Sequence, residues 1–428
     1  MYNMKYINGE LYWDGISIDK LANKYGTPLY IYNKNVLTEN FSRIKNSFSS
    51  LDPVICFALK SNSNISLLKI IAGLGAGADT VSGGELFLAL RCGFKSEKIV
   101  FSGVGKTDDE IEFALKNKIL MINVESEEEL YNVNNIAKKI NAQAPVAIRI
   151  NPDIDANTHP YISTGMKKNK FGIDLEKCHR IYKKAQNMGN IDTKGIHMHI
   201  GSQITDIEPY LNAVESLYDL YTKLLENGIN PEYINIGGGF GHGYEDIYKT
   251  ISKGKDFEEK EPDLFKLGEK IRNLFEKKVR LILEPGRRIT ASAGILAGKV
   301  LYRKQKSDKV FLLTDTGMTE LIRPSLYRAF HGVLPVKQNN KKIKGDLVGP
   351  ICESTDFIAQ DRELPDMQQG DYFAVLSSGA YGFALSSNYN SRLKPAEVLI
   401  DNARTTVIRE RESTNILLNN QPETLNWT

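Results

Sequence analysis

Eight short β-rich runs alternate with longer helix-like segments between about residues 50 and 285, and this rhythm constrains the fold most. Helix starts are marked by Ser82 with Glu85 and by Ser126 with Glu129, spaced as in capping boxes. The predicted strands are 54–59, 77–80, 98–101, 119–124, 145–150, 194–200, 233–236 and 279–283. Such alternation over roughly 230 residues is typical of a parallel (β/α)8 TIM barrel, with a doubly wound open sheet as the alternative.

The pattern changes after residue 290, where short apolar runs are separated by Gly, Asp and Pro, two of them without an intervening helix. This spacing predicts an antiparallel β domain. The first 34 residues also have the character of turn and strand, so we expect them to join that domain. A chain of 428 residues exceeds what one core usually organises. We therefore predict a barrel over 35–285 and a β domain made of 1–34 and 286–428.

Composition excludes several classes of function. The net charge is only +3, and no basic stripe with interleaved aromatic residues is present, so nucleic acid is not an expected partner. The start lacks the basic and apolar regions of a signal peptide, and no apolar run reaches membrane-spanning length. Four scattered cysteines without a CxxC pair predict neither a disulfide framework nor a zinc site. We expect a cytoplasmic protein without membrane partners.

Polar and glycine-rich residues follow the predicted strands at their carboxyl ends. Lys60 ends the first strand, His197 and His199 lie on the sixth, 237–239 follows the seventh, and Glu284 ends the eighth. The carboxyl ends of barrel strands surround the active site, and the last two loops often bind phosphate. Four coincidences at one face favour the barrel over the open sheet.

A solvated lysine at a strand end is the ordinary interpretation of Lys60. A lysine that instead points into a barrel mouth, partly desolvated and near other cations, can lose its proton and attack a carbonyl. Attachment of an aldehyde cofactor as a Schiff base is that chemistry.

The two histidines, His197 and His199, share one side of a strand because they are two residues apart. A metal pair is one alternative, but the chain has only six histidines and no carboxylate at ligand spacing. A flat imidazole stacked on a flat cofactor ring fits better with Lys60. A satisfied core histidine stays open for His197 in particular.

The remaining barrel residues suit two parts of a cofactor, a phosphate group and the nitrogen of an aromatic ring. Gly237, Gly238 and Gly239 let backbone N–H groups approach an anion, and Ser202 supplies a further donor. Glu284 pairs with Arg287 or Arg288 in the ordinary interpretation. Beside pyridoxal phosphate (PLP), an acidic side chain keeps the pyridine nitrogen protonated and so makes the ring an electron acceptor.

Residues of the predicted β domain are weaker signals when each is taken alone. Cys352 lies in a turn between strands, where a small buried cysteine is the alternative. Arg323 and Tyr327 are four residues apart, and Tyr381 lies in a turn bracketed by glycines.

Ten stretches, considered together, resemble the PLP-dependent diaminopimelate decarboxylases, the barrel-type relatives of ornithine and arginine decarboxylases and alanine racemase. They occur in the family's order over about residues 55–412. The stretches are FALKSNSN, GADTVSGGEL, STGMKKNKFG, HMHIGSQI, INIGGGFG, EPGRRI, RPSLYRAFH, CESTDF, GAYGFALSSNYNSR and IRERES.

The resemblance implies a role for each matching position. Lys60 would carry pyridoxal 5′-phosphate, His199 would stack on its ring, and Glu284 would contact its nitrogen. The phosphate would be surrounded by Ser202, Gly237, Gly238, Gly239, Arg287 and Tyr381, and Gly286 would be a further cofactor-binding residue. Substrate would be contacted by Arg287, Arg323, Tyr327, Glu353 and Tyr381. Cys352 would protonate Cα after CO2 leaves, and no metal is implied.

The implied reaction is decarboxylation of meso-2,6-diaminopimelate at its D-centre to L-lysine and CO2, the last step of lysine biosynthesis. Arginines suit the substrate's distal carboxylate through bidentate contacts, and Glu353 suits its distal amine. The family also implies a homodimer in which Cys352 and Glu353 enter the neighbouring subunit's site. Several alternatives stay open: carboxynorspermidine, ornithine or arginine as the substrate, racemisation as the reaction, a non-catalytic PLP carrier, and a metal-dependent hydrolase.

A charged insert at about 243–262 has no role that the sequence explains.

Overall fold

The computed structural model describes residues 3–155, 169–276, 278–307 and 309–422. The chain forms two compact units. The barrel unit comprises Thr38–Gly243 and Lys260–Ile289, and the β unit comprises Met1–Leu37, Tyr244–Glu259 and Thr290–Thr428. Residues 163–168 of the STGMKKNKFG stretch lie outside the described residues.

The amino-terminal elements begin with a small antiparallel sheet of β1, β2 and β3. The elements are β1 (Met4–Ile7), β2 (Glu10–Trp13), β3 (Ile16–Ser17), α1 (Ile18–Tyr25), β4 (Leu29–Asn33) and α2 (Lys34–Ser47). Helix α1 starts where it does because the Ser17 side chain accepts the Lys20 N–H.

The central elements alternate strand and helix. They are β5 (Val54–Ala58), α3 (Ile65–Gly73), β6 (Gly77–Thr80), α4 (Gly83–Arg91), β7 (Ile99–Phe101), α5 (Asp108–Lys116), β8 (Met121–Val124), α6 (Glu127–Lys139), β9 (Ala144–Asn151), β10 (Ile173–Asp174), α7 (Leu175–Gln186), β11 (Ile191–Met198), α8 (Glu208–Glu226), β12 (Tyr233–Asn235), α9 (Tyr244–Lys253), α10 (Leu264–Phe275), β13 (Arg280–Leu283) and α11 (Arg287–Thr290). Eight of the strands pair in parallel in the order β5-β6-β7-β8-β9-β11-β12-β13, and β13 pairs back onto β5. This ring confirms the predicted TIM barrel, and the open-sheet alternative is wrong.

The barrel core explains why its strands are continuous apolar runs. Every residue of β5 is buried, as expected for parallel strands covered on both faces. One apolar layer is formed by Val54, Cys56, Val100, Met121, Ala147, Tyr233 and Ile282.

Both predicted helix starts are confirmed. Ser82 Oγ accepts the Glu85 N–H, and Ser126 Oγ accepts the Glu129 N–H. Each glutamate carboxylate accepts the backbone N–H of the residue before the serine, rather than that of the serine itself. The two serine contacts satisfy N–H groups that the first helical turn leaves without partners, and the glutamate contacts fix the chain that enters each helix.

Strand ends decide where two site candidates lie. Strand β11 begins at Ile191, three residues before its predicted start, and ends at Met198, so that His199 follows the strand. Lys60 lies in a 3-10 turn, Leu59–Ser61, directly after β5.

The remaining elements belong mostly to one sheet of the β unit. They are β14 (Gly294–Lys306), β15 (Lys309–Thr314), α12 (Arg323–Tyr327), β16 (Val333–Pro335), β17 (Lys342–Val348), β18 (Phe357–Pro365), β19 (Tyr372–Val375), β20 (Ala396–Asp401) and β21 (Arg404–Arg409). The sheet runs β18-β17-β15-β14-β4-β20-β21, and β19 pairs with both β14 and β16. Strand β4 confirms that the amino-terminal segment joins this domain. Most pairs are antiparallel, but β15–β17 and β4–β20 are parallel, so the sheet is mixed. None of the helices in the described ranges is long and apolar enough to cross a bilayer.

Candidate active site

Lys60 directs its amine toward the barrel interior. Nζ lies 3.1 Å from Oδ2 of Asp79, which is fully buried on the neighbouring strand β6. Burial, and then the Glu284 carboxylate, raise the pKa of Asp79 to about 6, although Lys60 favours its charged form. The lysine side chain is 35% exposed. An amine that contacts a buried carboxylate does not fit the ordinary interpretation of Lys60 as a solvated surface lysine.

Glu284 follows β13 and is held by amide groups from two other strands. Its Oε1 accepts from Asn235 Nδ2 at 2.7 Å and from Asn123 Nδ2 at 3.3 Å. Burial raises the pKa of Glu284, but the attraction of His197 and then of Lys60 outweighs burial and lowers the pKa to about 2. The site therefore contains an ionised carboxylate only 5% exposed to solvent.

The two histidines occupy different surroundings. His197 is buried in β11, with Nε2 3.4 Å from Glu284 Oε2, close enough for charge attraction but without hydrogen-bond geometry. His199 is half-buried after the strand. Burial, then Arg149 and Lys60, hold the pKa of the His199 imidazole well below its ordinary value. His199 is therefore a neutral flat ring beside the lysine. Among the described residues, no three His, Cys, Asp or Glu side chains are grouped as metal ligands.

The glycine turn after β12 packs against the loops after β11 and β13. A Cβ added at Gly238 would lie 2.0 Å from the Glu284 carbonyl oxygen, and one at Gly239 would lie 2.1 Å from the Gly201 carbonyl oxygen. Gly237 and Gly239 also have φ of 70° and 88°, which favour glycine. The Gly237 N–H already donates to Asn235 Oδ1 at 2.9 Å. The role of Gly237 is therefore to allow the shape of the turn rather than to donate a hydrogen bond to an anion.

The loops after β11 and β13 also meet through side chains. Arg287 Nη2 donates to Ser202 Oγ at 3.0 Å. Gly286 lies against the turn after β5, because an added Cβ would come within 3.0 Å of Ser61. Arg288 forms an ion pair with Glu261, whereas the ordinary interpretation of the sequence offered it as a partner for Glu284.

Several polar residues of the barrel were missed in the sequence. Asp79, Asn123 and Asn235 lie on strands that are otherwise apolar, and that interruption is the signal that could have found them. A buried ion pair joins Arg149 to Glu125, whose other oxygen accepts the Gly172 N–H at 2.9 Å. This pair fixes the cation whose field acts on His199.

Arg323 begins α12 in the β unit and is only 5% exposed. Its Nη1 donates to the Tyr244 hydroxyl at 3.0 Å and lies 2.7 Å from His331 Nε2. Tyr327 ends the same helix and is half-buried. Tyr381 has a φ of 55° and packs against the apolar cluster of Tyr244, Ala291 and Ala380.

Cys352 and Glu353 are exposed in the turn between β17 and β18. The alternative of a small buried cysteine is therefore wrong. The Tyr389 hydroxyl donates to Glu353. The buried Asp356 carboxylate accepts the N–H groups of Ile351 and Met318, each at 2.6 Å, and so fixes the shape of the turn.

The sequence-predicted residues thus form two groups, one in each unit. The barrel unit holds Lys60, His199, Ser202, Gly237, Gly238, Gly239, Glu284, Gly286 and Arg287, and the β unit holds Arg323, Tyr327, Cys352, Glu353 and Tyr381.

Comparison with known proteins agrees with this geometry. Residues 34–291 match the family model for the pyridoxal-binding domain of pyridoxal-dependent decarboxylases, which confirms PLP as the predicted cofactor. The chain is 47% identical over 412 residues to diaminopimelate decarboxylase of Aquifex aeolicus, covering 96% of this chain and 95% of the relative. It is 43% identical over 411 residues to the Haemophilus influenzae enzyme of that name, covering 96% of each chain.

Solved structures give the same result. Diaminopimelate decarboxylase from Helicobacter pylori, complexed with L-lysine, superposes with a TM-score of 0.88 at 39% identity. That match covers 94% of this chain and 98% of the other. The chain therefore belongs to the pyridoxal-dependent decarboxylases, and within them to the diaminopimelate decarboxylase family.

Proposed function

We propose that this chain decarboxylates meso-2,6-diaminopimelate at its D-centre and releases L-lysine and CO2 as the last step of lysine biosynthesis. The observation that carries the proposal is the cluster of a lysine amine, a neutral imidazole and an ionised buried carboxylate at one end of the barrel. Relatives that are 47% and 43% identical to this chain, over nearly their whole length, bear the name of this activity.

The barrel residues fit the chemistry of PLP. Lys60 would hold the aldehyde carbon, His199 the ring face, and Glu284 the pyridine nitrogen. The glycine turn, which packs too closely against neighbouring backbone to admit a Cβ, suits the phosphate, together with Ser202 and the Arg287 guanidinium that donates to it. We assign the same phosphate a contact from Tyr381.

Bound PLP supplies an acceptor for the electron pair of the bond that breaks at Cα. Glu284 would keep a proton on the pyridine nitrogen of bound PLP, because its own low pKa prevents it from taking that proton. The Asn235 and Asn123 amides orient the carboxylate for this task. The His199 ring would pack on the face of the PLP ring, and because it is uncharged it would add no positive charge that competes for the Glu284 carboxylate.

The β unit supplies the remaining groups in this proposal. Cys352 delivers a proton to Cα, a role that suits a thiol because thiols are mostly protonated at neutral pH. Arg323 receives the distal carboxylate and Glu353 the distal amine, with Arg287, Tyr327 and Tyr381 as further substrate contacts. We keep the division into a barrel over 35–285 and a β domain of 1–34 and 286–428 as part of this proposal.

We propose a homodimer in which Cys352 and Glu353 complete the partner subunit's site. Both side chains are exposed, and exposed apolar residues occur in the same unit, at Leu326, Leu385 and Tyr389. A reducing cytoplasm is the proposed setting, supported by four cysteines that form no disulfide.

The direct test mixes purified protein with PLP and meso-diaminopimelate and measures lysine and CO2. Ornithine, arginine and carboxynorspermidine, assayed in parallel, decide the substrate, and Lys60→Ala is the control for attachment of the cofactor. Release of CO2 from one of the other amino acids in preference to diaminopimelate would overturn the proposal.

A further inference from the structure

The Arg323 guanidinium is oriented by two uncharged acceptors on one of its nitrogens. One Nη1 hydrogen goes to the Tyr244 hydroxyl at 3.0 Å, and His331 Nε2 lies 2.7 Å from the same nitrogen. The Tyr244 ring also lies beneath the cation, 4.9 Å from Cζ. Tyr244 and His331 therefore both contact the guanidinium at Nη1 and fix the orientation of its plane.

The protonation state of His331 follows from its partners. Nδ1 lies 2.8 Å from the Leu376 carbonyl oxygen, which can only accept, so Nδ1 carries the hydrogen. Nε2 faces a guanidinium that can only donate, so Nε2 must be the acceptor. His331 is therefore a neutral imidazole in a single tautomer.

His331 itself is held rigidly. It is fully buried directly before Gly332 and β16, and the Leu376 N–H donates to the Gly332 carbonyl at 2.9 Å. Arg362 Nη1 donates to the His331 carbonyl at 2.7 Å. A Cβ at Gly332 would lie 2.7 Å from Tyr248, so α9 packs tightly here. The same helix carries Tyr244, which gives a role to part of the insert that the sequence left unexplained.

We propose that His331 is a positioning residue that aims Arg323 at the distal carboxylate of the substrate. A neutral acceptor orients the guanidinium without cancelling its charge, whereas an acidic residue in its place would compete with the substrate. His331 thereby contributes to selectivity for diamines that carry a carboxylate over diamines that do not. This inference rests on the proposed function and refines the substrate specificity of the same site.

The test compares two ligands that differ by one group. L-Lysine and 1,5-diaminopentane carry the same two amines, but only lysine has the carboxylate. Dissociation constants for both are measured on PLP-loaded protein by calorimetry, together with KM and kcat for meso-diaminopimelate.

Two substitutions separate the two ring nitrogens of His331. In His331→Asn, the amide reaches the Leu376 carbonyl but not Arg323. In His331→Gln, the longer amide places an acceptor where Nε2 was. We expect Asn to weaken lysine binding about 10- to 100-fold, the usual loss for a hydrogen bond to a charged group, with 1,5-diaminopentane unchanged. We expect Gln to recover most of that loss. In the Asn variant KM should rise more than kcat falls.

Two further variants keep the result interpretable. His179→Asn, on α7 of the barrel unit, controls for loss of an imidazole elsewhere and should leave the dissociation constants of both ligands unchanged. Tyr244→Phe removes the other acceptor on Nη1 and should weaken lysine binding selectively, which tests whether the orientation of Arg323 sets lysine affinity even if His331→Asn does not fold.

Three results would overturn the role of His331. They are equal weakening of the binding of both ligands in His331→Asn, no weakening of either, and lysine binding in His331→Gln that is no tighter than in His331→Asn. Wild-type protein that forms no lysine from meso-diaminopimelate would instead overturn the proposed function, whatever the variants do.

Discussion

Two buried carboxylates near Lys60 differ in how readily they bind a proton. Glu284 is stabilised as an anion by His197 and Lys60, whereas burial and the charge of Glu284 raise the pKa of Asp79 to about 6. Pairs of titratable groups pushed apart in this way mark sites where each group has a separate role. Glu284 is suited to hold a permanent negative charge, and Asp79 to exchange a proton with its surroundings near neutral pH.

Cys352→Ala tests the proton donor. We expect the variant to keep bound cofactor, seen as visible absorbance, while turnover falls about 10²- to 10⁴-fold, the range typical of a lost general acid. Cys92→Ala, on the barrel unit, is the matched control and should keep its activity. Full activity in Cys352→Ala would remove this thiol from the mechanism.

Glu320 in the β unit predicts a pH dependence of stability. It is 1% exposed, and burial raises its pKa from 4.5 to about 7, although the Gly317 N–H and Arg392 favour the charged form. The folded state therefore binds this proton more tightly than the unfolded state. Its stabilising contribution is complete below about pH 4.5 and is lost as pH rises through 7, by roughly 3 kcal/mol.

Glu320→Gln should remove that slope. Thermal unfolding between pH 5 and 8 should show the variant gaining stability relative to wild type as pH rises. Glu269→Gln, exposed on α10, controls for loss of one negative charge. Parallel curves for wild type and Glu320→Gln would contradict the assignment.

Single residues mark the limit of what the sequence could predict about the site. Lys60, His199 and Glu284 were chosen because they lie at the carboxyl ends of apolar strands, and the structure gathers them in the barrel unit. Asp79 and Asn235 were missed because one polar residue inside a short strand gives little periodic signal. The His331 contact to Arg323 joins a residue before a strand to a helix start, and no local pattern predicts it.

At the scale of elements, the glycine turn after β12 is the most constrained connection. Gly238→Ala would force a Cβ against the backbone of the β13 loop, which cannot move as a side chain can. We expect a loss of about 1–3 kcal/mol in unfolding free energy, together with weaker retention of cofactor. Thermal unfolding and titration with PLP measure the two effects.

Gly73→Ala is the matched control. Gly73 ends α3, and a Cβ there meets nothing within 4 Å. Replacing glycine by alanine in a helix should leave stability unchanged or slightly raised. The interpretation of the turn is wrong if both variants unfold at the same temperature.

The strands of the barrel were predictable and the pairings of the other sheet were not. Parallel strands buried on both faces are continuous apolar runs, so the predicted bounds differ from the observed ones by a few residues. In the β unit, β16, β18, β20 and β21 were not predicted. The parallel pairs β4–β20 and β15–β17 depend on partners far apart in the chain, and local spacing does not encode them.

At the scale of the whole molecule, the proposed sharing of sites between subunits has a quantitative test. Lys60→Ala and Cys352→Ala chains are each expected to be nearly inactive alone. After the two are mixed and their subunits allowed to exchange, half of the dimers contain one chain of each kind. Each such dimer regains one intact site, so activity should recover to about a quarter of wild type for a symmetric dimer.

The control is the same mixture without subunit exchange, which should stay inactive. If exchange occurs and activity does not return, then Lys60 and Cys352 of a given site come from one chain.

Strand β4 lies in the middle of its sheet, between β14 and β20, although its own residues are among the first in the chain. During synthesis from the amino terminus, β4 emerges long before either neighbour exists. All five of its residues are buried in the folded protein. While the barrel is being translated, the nascent chain therefore exposes this segment without the strands that pair with it. The sheet can close around β4 only after β14 and β20 have both been synthesised.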